Sequence, residues 1–390
     1  MQIDQAELFL VRLPFASEQV VHDQTSDYCD TVFLRLQAEG QSGWAEVAPG
    51  NFPFLTAESS RSAFELARDF LVPRLLKTKS VSDSKTFAEL FAPIKNNNNA
   101  KAIIDMAWWD LQARLKDEPL WKTLGGTKRP MEVGLVFDRN EDQDGFFREM
   151  QRVTDDQYRR VTLKFRPGWD VQVVAAVRAV VAPLLQVQVD AEGALDPEVH
   201  TDTLYRLEDF FLTMIEQPFA PSDFVVNAMT AETLHTPIAL DESITSLLEA
   251  NIAIDLKCCR YFAMKPGRVG GHTEAKKIAQ AAKTGEIDCY GAFDLQSSIG
   301  YRHMLAMAAA GEYTLPSDTY RWNEVFAEMP AAPLESTIHT ESVPASDGSE
   351  ATEERPFQAI ELWDEPGIGC LPDSAFLEKH TLEHQLFQND

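Results

Sequence analysis

Long apolar runs, excess basic charge and metal-type cysteine spacing are all missing from this chain, and each absence removes a class of function. No stretch of its 390 residues approaches the length of a membrane span. The N-terminus, MQIDQAELFLVRLPF, alternates like a strand and lacks the basic start and continuous apolar run of a signal peptide. Lysine and arginine total 35 against 61 acidic side chains, a formal net charge of -26 that repels nucleic-acid phosphates and anionic lipid alike. The expected partner is therefore a small molecule rather than nucleic acid or a membrane, and any anion site must be a local focus of Lys, Arg or metal. Cys29, Cys258, Cys259, Cys289 and Cys370 are an odd set, and the adjacent pair is poorly placed to bridge itself. Reduced thiols in a cytoplasm fit that pattern.

What is present is ordinary globular material, 44% hydrophobic and 25% charged, enough for a sizeable core. The length predicts one large domain plus a smaller one. Residues 1–125 read as an α+β unit. Its strands are LFLVRLPF, TVFLRLQAEG and GWAEVAP with a turn at Glu39-Gly40, and helices follow from Ala57 and in AKAIIDMAWWDLQARLK. Trp108 and Trp109 fall at helical spacing among apolar neighbours, so core packing is expected of them.

Residues 126–320 change texture to short apolar runs separated by helical stretches: MEVGLVF, RRVTLKF, LLQVQVD, MIEQPF, PIALDES, RYFAMKP and EIDCYGAF. The polar residues ending successive runs are Lys164, Asp190, Glu216, Asp241 and Lys265, at separations of 26, 26, 25 and 24 residues. That is the length of a βα unit, and repeating it in one direction closes a parallel barrel whose functional side chains stand at the C-terminal strand ends. A doubly wound sheet would need a phosphate-binding glycine pattern after its first strand, and none is there. Residues 321–390 form a C-terminal segment. Its Pro-, Ser- and Glu-rich stretch over 330–356 predicts a long surface loop, and its end returns to the first domain with a helical final stretch.

Asp190, Glu216 and Asp241 on consecutive strands would converge and repel one another unless a hard divalent cation lay among them. All-oxygen ligation favours Mg²⁺, with Mn²⁺ as a substitute. One carboxylate alone would be a rim charge or a helix cap; three in phase are hard to explain so. Lys164 and Lys265 flank the triad, which in a closed barrel sets them across the cavity. A lysine beside a dication and a second lysine has its charged form disfavoured and becomes a usable base. Proton abstraction next to a carboxylate is the chemistry this set suits, because the cation stabilises the charge that forms.

The segments LKFRPGWD, VDAEG, IEQPF, IALDES and MKPGRVGGHTEAKKIA, with GWAEVAP and AIIDMAWWDLQARL, resemble the o-succinylbenzoate synthase and N-succinylamino acid racemase group of the enolase superfamily. The resemblance implies a modified TIM barrel, (β/α)7β, with an α+β capping domain. It implies Mg²⁺ on Asp190, Glu216 and Asp241, and Lys164 and Lys265 as the acid/base pair. It further implies a dehydration in menaquinone biosynthesis or, as the alternative, racemisation or another enolase-superfamily isomerisation of a small carboxylate. Three positions depart from the family pattern. Thr162 replaces the first lysine of Lys-x-Lys, Ala263 stands where Asn is usual, and Gln296 stands for a last-strand Glu; Arg166 on the same alternating face is expected to compensate in part for Thr162.

Those departures raise an alternative of another class, a non-catalytic barrel that binds a carboxylate or a protein, opposed by the survival of all five core residues. Candidate substrate contacts are Arg268, Thr162, Ser297, Phe52 and Phe54, the two phenylalanines in the stretch from Gly50 to Leu55. That stretch and the loop from Ala16 to Asp27 are expected to overhang the barrel mouth. His380, Glu383 and His384 spell an inverted zinc motif, but near the end of a helix with little chain left for a third ligand. Oligomeric state, a homo-oligomer included, stays open.

Overall fold

A computed structural model of the chain describes residues 1–21, 24–81, 83–138, 143–168, 171–344 and 352–389. It opens with an antiparallel meander, β1 (Gln5–Val21), β2 (Gln24–Ala38) and β3 (Gln41–Val47), in which Glu39 and Gly40, both at positive φ, close the second turn. Apolar side chains occupy both faces. Leu8, Leu10, Leu34 and Val47 pack with helices Ser60–Leu66 and Asn98–Leu115. Phe9, Leu13, Phe33 and Trp44 join a core that also holds Phe262 and Met304 of the second domain. The meander is thus clamped between its own helices and the barrel, and Trp108 is core.

The second domain is a parallel barrel of eight described strands: β4 (Met131–Phe137), β5 (Arg160–Lys164), β6 (Gln186–Asp190), β7 (Ile215–Glu216), β8 (Ile238–Leu240), β9 (Tyr261–Met264), β10 (Asp288–Gly291) and β11 (Ser317–Thr319). Neighbours pair in chain order from β4 to β10, and β11 pairs back onto β4. The seam between β10 and β11 carries a bridge from Cys289 to Tyr313. Helices such as Val171–Val180 and His272–Thr284 fill the crossovers. This is a (β/α)7β barrel with an α+β capping domain. Among the described residues no helix is long and apolar enough to cross a membrane, and all five cysteines are free.

Two expectations for the C-terminal segment fail. Where composition predicts a loop, β12 (Thr337–Pro344) and β13 (Thr352–Ile360) form an antiparallel hairpin whose foot pairs with β4; 345–351 lie outside the described residues. The final stretch is not helical: helix Ser374–His380 gives way to β14 (Thr381–Gln388), antiparallel to β1. The zinc motif is broken by that change. His380 reaches Glu328 at 3.1 Å and His384 reaches Glu7 at 3.4 Å, so the two imidazoles do not share a helical face.

Buried polar contacts lock the capping domain to the barrel. Glu46 on β3 accepts from the backbone N–H groups of Ser297 at 2.8 Å and Gly300 at 2.9 Å and from the Ser297 hydroxyl, capping helix Ser298–Ala308 from across the boundary. Asp105 accepts from the backbone N–H of Thr273 at 3.0 Å. His303 lies 2.8 Å through Nε2 from the Trp44 carbonyl and 2.9 Å through Nδ1 from Nε2 of His272. A carbonyl only accepts, so His303 donates through Nε2; with both rings neutral, as their lowered pKa values favour, its Nδ1 accepts from Nε2–H of His272.

Burial pushes His303 down to about 4 and His272 well below its usual value. Unfolded histidine takes up a proton below about 6.5. Folded His303 waits until about 4, so its contribution is complete above pH 6.5 and drains away as pH falls toward 4. Between pH 7 and pH 5 the unfolding free energy should lose about 2 kcal/mol from this residue. The check is the difference in denaturant midpoint between the two pH values, measured for the wild type and for His303→Gln. An equal difference in both proteins would remove His303 from the account.

Candidate active site

Register brings the predicted residues together. Lys164 on β5 is the Cα partner of Asp190 on β6, which is the partner of Glu216 on β7; Asp241 follows β8 directly and Lys265 follows β9. Strands β5 and β9 stand four places apart in a ring of eight, so the two lysines face each other across the barrel. Both line a cavity of about 760 Å³ between barrel and capping domain. The carboxylates lie beneath, with Asp190 2%, Glu216 3% and Asp241 0% exposed. Phe52 and Phe54, stacked at 5.3 Å between centroids, line the mouth, and so do Ser17, Glu18 and Ser26 of the β1–β2 arms. Residues 22 and 23, within the stretch expected to overhang, lie outside the described residues.

Each lysine is pinned by carboxylates. Lys164 Nζ donates to Asp190 at 2.6 Å and to Glu192 at 2.8 Å, and Arg166 binds the other oxygen of Glu192. Lys265 Nζ donates to Asp241 at 2.8 Å and lies 3.5 Å from Asp294. Burial alone would lower the Lys164 pKa, but Asp190, Glu192 and Glu216 outweigh it and raise it well above the usual lysine value. For Lys265, burial and Arg268 lower the pKa, and Asp241, Asp294 and Glu242 more than offset them. As they stand, both lysines are held charged.

The three carboxylates differ. Burial pushes Asp241 up, yet Arg268 and Lys265 hold it below the usual range. Glu216 goes the other way, raised well above the usual carboxylate range by burial and by the facing charges of Asp190, Asp241 and Asp318. Among the described residues it has no ion-pair partner, only the Gln188 amide at 2.9 Å. No three His, Cys, Asp or Glu groups among the described residues are gathered tightly enough to chelate a metal as they stand. The donor set nonetheless fits a hard divalent cation. It is all oxygen, on adjacent strand ends, and Glu216 is a buried carboxyl with no cationic side chain against it among the described residues, so a cation bound there would let it ionise.

The remaining candidates separate. Arg268 neither covers the rim nor meets the cavity; it is buried on Asp241, with Glu242 at 3.6 Å. Its short helix, Pro266–Val269, is anchored by Asn98, whose Nδ2 donates to the Arg268 carbonyl at 2.9 Å. Ser297 does not face substrate either, because its hydroxyl is spent on Glu46. Thr162 points into the barrel below Lys164, buried, and its hydroxyl has no hydrogen-bond partner. Arg166 shares Glu192 with Lys164 rather than standing beside the lysine as a free cation. Gln296 is not on the last strand but in the turn between β10 and helix Ser298–Ala308. Ala263 faces the barrel interior beside Tyr290. Sequence reasoning missed Glu192 and Asp294, although Glu192 follows Asp190 at the two-residue spacing that keeps one face.

Comparison with known proteins agrees with this fold. Residues 146–375 match the enolase C-terminal domain-like family, and residues 11–125 match the mandelate racemase / muconate lactonizing enzyme N-terminal domain. The chain is 34% identical to an o-succinylbenzoate synthase of Geobacillus kaustophilus over 352 residues, 90% of this chain and 88% of the relative. It is 32% identical to an N-succinylamino acid racemase of Thermus thermophilus over 370 residues, 93% and 98% of the two. A crystal structure of an enolase superfamily member from Listeria innocua superposes with a TM-score of 0.87 at 29% identity, covering 100% of both chains. The chain is therefore an enzyme of the enolase superfamily, in the group that holds o-succinylbenzoate synthases and N-succinylamino acid racemases.

Proposed function

We propose that this enzyme removes the proton next to a carboxylate in a small dicarboxylate and eliminates water, the o-succinylbenzoate synthase reaction of menaquinone biosynthesis. The observation that carries the reading is the pair of lysines on opposite sides of one cavity floor, with three carboxylates between and below them. Asp190, Glu216 and Asp241 would hold Mg²⁺, an ion present in the crystal structure of a dipeptide epimerase from Cytophaga hutchinsonii that shares this fold. Once bound, the ion would stabilise the negative charge that builds on the substrate carboxylate as the proton leaves.

The chain's own groups do the rest. Lys164, freed from Asp190, takes the proton, while Lys265 stays charged and steadies the developing anion from the opposite side. The C–H electron pair becomes the new C=C bond as the C–O bond of the adjacent carbon breaks, and the departing hydroxyl takes the proton now held by Lys164 and leaves as water. Phe15, Phe52, Phe54, Phe137 and Phe293 line the cavity with apolar surface that keeps bulk water from the carbanionic centre.

The second reading, racemisation of an N-succinylamino acid, is favoured by the same opposed lysines, which could exchange a proton on either face. The two are separated by supplying the synthase substrate and, separately, an N-succinylamino acid in D₂O at matched subsaturating concentrations. Dehydration is expected to outrun α-deuteration, because Thr162 supplies no second cation to lower the Lys164 pKa and the departing hydroxyl assists only the elimination. Faster α-deuteration would promote the racemase.

A further inference from the structure

Below the carboxylates the barrel holds a second polar layer that proton transfer does not use. Arg160, the first residue of β5, is among the largest fully buried side chains of the protein. One guanidinium nitrogen, Nη2, binds Asp318 on β11, and Nη1 donates to Oε1 of Gln188 on β6 at 3.1 Å. Gly134 on β4 makes the room, since a Cβ there would lie 2.7 Å from Arg160 Nε. Gln188 then passes the constraint upward, its Nε2 donating to Oε2 of Glu216 at 2.9 Å.

Burying a guanidinium is costly, and Asp318 balances its charge. What Arg160 delivers to the site is therefore orientation. A free glutamine amide can sit either way round. With a cationic donor on Oε1, the flipped amide would set NH₂ against the guanidinium and a carbonyl against a carboxylate. Gln188 must present its NH₂ to Glu216. Glu216 needs this more than its neighbours do. Its strand, β7, is only two residues long, and Asp190 and Asp241 each have a lysine to fix them. Thr162, the inward residue between Arg160 and Lys164, adds no hydrogen bond.

We infer that Arg160 and Gln188 are positioning residues that set the Glu216 carboxylate for a divalent cation, an inference that rests on the metal-binding reading above. The test is calorimetric titration of the metal-free full chain with MgCl₂, for the wild type, Gln188→Met and Arg160→Met, with thermal midpoints alongside. Gln188→Met keeps the volume and the Arg160–Asp318 pair, so it decides the matter even if Arg160→Met fails to fold. For Gln188→Met the expected result is Mg²⁺ affinity weakened by about 10- to 100-fold at a nearly unchanged midpoint, whereas Arg160→Met, which also leaves Asp318 buried without its partner, should lose both affinity and thermal stability. In steady state the Mg²⁺ concentration for half-maximal rate should rise while kcat at saturating Mg²⁺ moves little. Unchanged affinity in Gln188→Met would overturn the inference alone. A wild type that takes up no Mg²⁺ would overturn the metal-binding reading, and this inference with it.

Discussion

Lys164→Arg is expected to lose about two to four orders of magnitude in the rate of dehydration, as much as Lys164→Ala, because an arginine keeps the charge and cannot give up its proton. Lys265→Arg should retain far more of its rate than Lys265→Ala, since a counter-cation has only to stay charged. The asymmetry tests the roles rather than the presence of the residues. Lys164 sits against Asp190 and Glu192, and those carboxylates with Glu216 raise its pKa. A base with a raised pKa is protonated over more of the pH scale, so the wild-type rate should climb with pH above neutrality until the lysine is half deprotonated. Metal engaging Asp190 and Glu216 withdraws two of the charges that retain the proton, and should move that climb to lower pH. Measuring kcat/KM against pH for the wild type, with rates and Mg²⁺ affinity for the four variants, decides it. Survival of more than about a tenth of the rate in Lys164→Arg would sink the base assignment.

The five residues at the strand ends were readable because a βα unit has a nearly fixed length. A period of about 25 residues in polar strand ends is then a statement about register, and β5, β6 and β7 pair Lys164 with Asp190 and Asp190 with Glu216. What the sequence hid is pairing between distant segments. Nothing local links Glu46 to Ser297, so a serine ahead of a helix in the barrel read as a substrate contact when its hydroxyl serves the domain boundary. Arg160 and Asp318 are equally remote, joined only by closure of the barrel. The terminal segment misled for another reason. Leu382 and Leu386 are spaced like a helical face, but the open edge of β1 offers a full ladder of backbone partners, and pairing overrides the local preference. The β12–β13 hairpin lacks apolar alternation because β12 is largely exposed along its whole length.

Removing divalent cations should abolish turnover, by about three orders of magnitude or more, while leaving the protein folded. The two halves of that expectation come from the same three carboxylates. Without a cation, Asp190 and Asp241 rest on Lys164 and Lys265, and Glu216, whose pKa is raised well above the usual range, can shed its charge by taking a proton. The metal-free site is thus self-neutralised, and loss of metal should cost no more than the binding linkage, about 2.7 kcal/mol at a concentration 100 times Kd. Catalysis has no such fallback, because the ion pairs that stabilise the empty site occupy the lysines. Asp241→Ala should behave differently. It leaves Lys265 and Arg268 buried beside only Asp294 and Glu242, and breaking buried pairs of this kind costs about 3–5 kcal/mol, so this variant should lose both Mg²⁺ and thermal stability. The measurement is turnover and thermal midpoint after chelation and desalting, with residual metal determined by elemental analysis, then again after adding Mg²⁺ back. Full turnover in protein shown to be metal-free would end the proposed mechanism, and unfolding on chelation would show that the lysine–carboxylate pairs do not hold the empty site.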